Sequence, residues 1–128
     1  MPALFSFIHI EYMRLGKMKP EYDLEDELCV VTYNDSLDFE FCQKHKLIDP
    51  DIMKSATLFI LDLQNVAFID SAGVGALVGI YRSLHAHGKF LCLINLQHNL
   101  MKVLQISEIE HLFPIFPSLD EARSHFQY

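Results

Sequence analysis

Chemistry in this chain concentrates at Asp70-Ser71-Ala72-Gly73, where a carboxylate, a hydroxyl and a glycine stand together. The apolar run Val66-Ala67-Phe68-Ile69 reads as a strand that ends there, and a glycine-rich helix pattern begins at once. Val74, Leu77, Val78, Tyr81 and Leu84 keep the spacing of one apolar helix face. Ser71 thus falls at or beside a helix N-cap, where a side-chain oxygen accepts from unpaired backbone N–H groups. A phosphate on that hydroxyl would meet the same N–H groups and the positive end of the helix dipole. It would also lie next to the carboxylate of Asp70. Such an arrangement suits a charge switch.

Other chemistries fail on spacing. Gly73, Gly75 and Gly79 make no phosphate-binding loop, because no Lys follows at the Walker offset. The dinucleotide fingerprint fails as well, since position 78 is Val. Gly73 and Gly75 read instead as letting the helix start approach its neighbours, or as keeping the surface around Ser71 open. A hydrolase elbow needs Gly two residues before its Ser, and Ile69 stands there. None of the seven histidines has a partner three or four residues away, so no metal site is expected. Cys29, Cys42 and Cys92 form no CxxC pair; Cys29 and Cys92 read as core thiols, which suits a reducing cytoplasm. Asp38 and Asp70 have no base or ligand beside them and read as two exposed loop carboxylates. No cofactor is expected.

The elements that must position Asp70 and Ser71 follow from periodicity. An acidic stretch, Asp23 to Glu27, leads into a strand at Leu28–Tyr33, and Asn34-Asp35-Ser36 is a turn. A helix is expected over Leu37–Lys46, a break at Asp49-Pro50-Asp51, and strands at Thr57–Leu63 and Phe90–Asn95. The Ser71–Ala86 helix should end at Gly88. A short helix follows over Asn99–Gln105, then a proline-containing edge strand at Leu112–Phe116. Ser118 and Glu121 form a capping box that opens a last helix. Alternating strands and helices predict a single α/β domain over residues 21–128 with at least partly parallel pairing. Residues 1–20 read as an extension, either an added strand over 5–12 with a linker, or a stretch upstream of a start at Met13 or Met18.

Composition narrows the partners. The net charge of −7 disfavours a nucleic-acid backbone or an anionic membrane and favours a basic protein surface. No apolar run approaches the roughly 20 residues needed to span a bilayer.

Phe59 to Leu63, Val66 to Gly75, Lys89 to Asn95, and Leu104 to Phe116 with Asp120-Glu121-Ala122 together resemble the STAS domain. That family is shared by anti-sigma factor antagonists and the cytoplasmic tails of sulphate-type anion transporters. The resemblance implies a central mixed sheet of four to five strands with about four helices packed mainly on one side. In the antagonist branch, the Ser after the motif Asp is phosphorylated by an anti-sigma factor that is also a kinase, and a PP2C-type phosphatase restores it. Ser71 occupies that position, and Asp38 looks like the acidic residue of the loop lining the same surface. The implied partner-binding set is Asp38, Asp70, Ser71, Ala72, Gly73, Val74 and Val78, in a non-enzymatic cytoplasmic regulator. The alternative within the family is a subunit of a membrane lipid or anion transporter complex without a phosphoswitch. A small-ligand or nucleotide binder is a third reading.

Three residues depart from the family pattern. Ala72 stands where another hydroxyl is frequent, leaving Ser71 as the motif's single phosphoacceptor. Asp35 replaces a glycine before Leu37-Asp38, and Ser107-Glu108-Ile109 replaces a small-Gly-Leu sequence.

Overall fold

The computed structural model describes residues 17–128, so the strand expected over 5–12 lies outside the described residues. Five strands form one sheet in sequential order: β1 (Glu21–Glu25), β2 (Leu28–Thr32), β3 (Leu58–Asp62), β4 (Phe90–Ile94) and β5 (Ile115–Phe116). β1 pairs antiparallel with β2, and β2 to β5 are parallel. Parallel strands wound in one direction return through crossovers on one face. α1 (Phe39–Lys44), α2 (Pro50–Met53), α3 (Ser71–Ala86) and α4 (His98–Ile106) accordingly cover that face. α5 (Leu119–Phe126) packs on the other.

Side-chain alternation divides the core. Cys29, Val31, Phe59, Leu61, Leu91 and Leu93 face the four-helix layer, where Leu77 and Leu84 of α3 meet them. Leu28, Leu58, Ile60, Cys92 and Ile94 face α5 around Ala122. The continuous apolar runs of the sequence are thus strands buried on both faces. Burial pushes the Cys29 thiol up to about 11 and that of Cys92 to about 12, so both stay protonated and inert at neutral pH. Among the described residues no helix is long and apolar enough to cross a membrane.

Several expected elements change. The acidic lead-in is itself strand β1, the outermost strand among the described residues, joined to β2 by a hairpin with Asp26 at φ 53°. Leu37–Lys46 yields only the short α1, because Asp38 caps it from outside. The Asp49-Pro50-Asp51 break is the start of α2, with Asp49 as cap and Pro50 in the first turn. The run from Val66 to Asp70 is a loop with one parallel bridge, Leu37 to Ile69. Leu112 closes a 3-10 turn, so β5 keeps only two residues.

α3 and α4 end in the same hydrogen-bond pattern with different residues. Gly88 donates to His85 O and Lys89 to Leu84 O; Glu108 donates to Gln105 O and Ile109 to Leu104 O. Both ends place a left-handed residue after the cap, at φ 69° for Gly88 and φ 59° for Glu108. Glycine adopts that conformation without a Cβ penalty, whereas glutamate strains. Glu108→Gly should therefore stabilise the domain by about 1 kcal/mol, read as a raised urea midpoint at unchanged slope. A lowered midpoint would mean that the Glu108 side chain itself holds the turn.

Candidate functional site

The site forms where the loops after β2 and β3 meet beyond the carboxyl ends of the parallel strands, the usual crevice in open α/β sheets. Leu37 N donates to Phe68 O at 3.0 Å and Asp70 N to Leu37 O at 3.4 Å, which joins the two loops. Amide side chains secure the second loop from its neighbours. Asn65 Nδ2 donates to Asn34 Oδ1 at 2.9 Å, Gln97 Nε2 to Gln64 O at 3.0 Å, and Asn99 Nδ2 to Ala67 O at 2.6 Å. Asn95 Nδ2 also donates to Asp62 Oδ1, at 3.1 Å.

The junction closes because residue 73 is glycine. A Cβ at Gly73 would lie 2.1 Å from Leu37 O and 2.6 Å from Ile69 Cγ1. Gly75 meets nothing within 4 Å. The two alternatives read from sequence therefore divide between the two positions: Gly73 permits close approach and Gly75 leaves space open.

Asp70, not Ser71, is the N-cap of α3. Its backbone is extended (φ −108°, ψ −172°), and Oδ1 accepts from Gly73 N at 3.0 Å. Oδ2 accepts from Phe39 N at 2.9 Å, so one carboxylate serves the N-termini of α1 and α3. Asp38 caps α1 through Phe41 N at 2.9 Å. These are not the free loop carboxylates that the sequence suggested; both are partly buried and engaged. The Phe41 N–H holds the Asp38 carboxyl below its ordinary value, with a further contribution from the Lys17 ammonium.

Ser71 is the first residue of α3 and is exposed. Its hydroxyl is therefore spared from capping and open to a partner. The structure brings Asp38, Asp70, Ser71 and Gly73 to one junction. Ala72 beside them is half-buried, and Val74 packs against the core with one edge outward. Val78, a turn further along α3, is also half-buried.

Sequence reasoning missed three contributors. Lys17 Nζ lies 3.1 Å from both Asp35 Oδ1 and Asp38 Oδ2, and Met18 N donates to Asp35 Oδ2 at 3.1 Å. The charge of Asp35, which stands where the family pattern has glycine, is thereby countered by an ammonium from the stretch read as a linker. Phe39 and Phe68 are 61% and 52% exposed, and the backbone of each is hydrogen-bonded into the Leu37–Asp70 junction. Large apolar side chains that protrude beside a fixed polar junction suit protein contact. A Phe directly after Asp38 and another two residues before Asp70 were the available signal.

Over residues 19–122 the sequence matches the family model of the STAS domain. A Thermotoga maritima protein named "Putative anti-sigma factor antagonist" is 25% identical over 103 residues, covering 79% of this chain and 91% of that one. A crystal structure of a protein so described from the same organism superposes with a TM-score of 0.77 at 23% identity, covering 85% of this chain and 95% of that one. The anti-sigma factor antagonist SpoIIAA, in its unphosphorylated form, gives 0.64 at 20% identity over 84% of this chain and 96% of its own. The phosphorylated form of the Bacillus protein gives 0.61 at 21% identity over 84% and 98%. These superpositions establish a shared fold.

Proposed function

We propose that this chain, which belongs to the STAS domain family, is a non-enzymatic regulatory protein of a partner-switching pathway. In its unmodified state it binds an anti-sigma factor that is also a kinase. Phosphate on Ser71 ends that complex, and a PP2C-type phosphatase restores binding. The partner surface comprises Asp38, Asp70, Ser71, Ala72, Gly73, Val74 and Val78, with Phe39 and Phe68 as its apolar anchors. The cytoplasm is the compartment such a pathway occupies. The likeness to a protein named as an anti-sigma factor antagonist supports the partner class.

The observation that carries the switch is the division of labour between Asp70 and Ser71. Asp70 satisfies the helix ends, and among the described residues the Ser71 hydroxyl carries no hydrogen bond that a kinase must first break. Phosphorylation adds about −1.5 to −2 charges at neutral pH. That charge would lie beside Asp70 on the surface a partner must desolvate, and like-charge repulsion would oppose docking. The α3 dipole offsets part of the cost within the free protein, so the complex breaks while the domain stays folded.

Ser71 should be the phosphosite. Incubation with the cognate anti-sigma kinase and ATP, followed by peptide mass spectrometry, should place the phosphate on Ser71. The Ser71→Ala chain should take up none. Phosphate on Ser36 or Ser83 with Ser71 unmodified would overturn the reading.

A further inference from the structure

A groove separate from the Ser71 junction runs along the seam of α1, α2 and α3. It consists of three adjoining cavities of about 400, 350 and 320 Å³. The first two share His45, Lys46 and Pro50, and the last two share Pro50 and Met53. Its charge runs opposite to that of the chain. Among the described residues Lys19, Lys44, Lys46, Lys54 and Lys89 line it. Asp49 is the one carboxylate among the described residues that does so, and it caps α2 through Asp51 N at 2.8 Å.

Two of the lysines are already engaged. Lys44 pairs with Glu40 at 3.4 Å, and Lys89 Nζ donates to Met53 O. Lys19, Lys46 and Lys54 have no ion-pair partner among the described residues. Between the basic ends the floor is apolar, with Ile48, Met53, Ala76 and Ile80. Gly79 opens it further: a Cβ there would meet nothing within 4 Å. Glycine inside a helix costs about 1 kcal/mol relative to alanine, and no local packing requires it here.

We propose that this groove docks an acidic amphipathic segment of a partner protein. Carboxylates of the segment would lie on Lys19 and Lys46 at one end and on Lys54 at the other, and its apolar side chains would enter the Met53–Ile80 floor. An amphiphile with a single anionic head would use one end only, whereas cations at both ends match a chain with acids on either side of an apolar stripe.

The test is a titration of the full isotope-labelled chain, followed by amide NMR shifts. The probe is a synthetic helix of about four turns, with Leu on one face and Glu elsewhere. A scrambled peptide of equal composition and dodecyl phosphate are the comparison probes. The amphipathic peptide should give saturable shifts at Lys46, Met53, Lys54 and Ile80. Gly79→Leu, which fills the floor with a good helix former, should weaken it ~10-fold or more, as should the Lys46→Glu, Lys54→Glu double variant. Lys102→Glu, exposed on α4 outside the groove, should not. Thermal melts show that each variant is folded. Absence of saturable shifts, equal affinity for the scrambled peptide, or saturation by dodecyl phosphate alone would overturn the proposal.

Discussion

Gly73→Ala should destabilise the domain by about 3 kcal/mol, the upper end of what overpacking usually costs. The added methyl would meet Leu37 O at 2.1 Å, and that oxygen belongs to the backbone of the neighbouring loop. It cannot swing aside as a flexible side chain would. Leu37 O also accepts from Asp70 N, so relieving the clash pulls at the cap shared by α1 and α3. Gly75→Ala is the matched control. It adds the same methyl into open space and should stabilise by about 0.5–1 kcal/mol through helix propensity. Urea unfolding of both variants measures the contrast. A Gly73→Ala loss below about 1 kcal/mol would show that the loop junction yields easily, and the rigid platform beneath Ser71 would fall with it.

Ser71→Asp should lower affinity for the anti-sigma partner ~100-fold, equivalent to about 2.7 kcal/mol. The substitution places a second carboxylate beside Asp70, on a surface where Phe39 and Phe68 must be desolvated for docking. Stability should change little, because an acidic residue is favourable in the first turn of a helix. Ser71→Ala should bind as the unmodified chain does. It should also keep its stability, since the hydrogen bonds at the α3 N-terminus come from Asp70. A serine in the N-cap position itself would lose about 1 kcal/mol on truncation to alanine, but Asp70 holds that position.

The legible parts of the fold are those set by local pattern. The bounds of α3 follow from its apolar spacing and from Gly88, and the core strands from continuous apolar runs. Strand β1 was hidden because its alternation is weak and its residues largely acidic, so pairing with β2 defines it rather than burial. The cap was ambiguous for a different reason. Asp70 and Ser71 are both good N-caps, and only backbone conformation separates them. The double role of Asp70 needed two loops, from different parts of the chain, to meet at Leu37 and Ile69. Lys17 was hidden in the same way: its partners Asp35 and Asp38 lie far along the chain.

In the proposed switch, charge on Ser71 decides whether the complex forms. Isothermal calorimetry should compare the full unmodified chain with the same chain phosphorylated by its kinase, each titrated into the purified anti-sigma partner, with thermal melts alongside. Tight binding is expected of the unmodified protein and ~100-fold weaker binding of the phosphorylated one, both folded. Equal affinity from two folded forms would contradict it and favour a constitutive STAS subunit of a transporter complex.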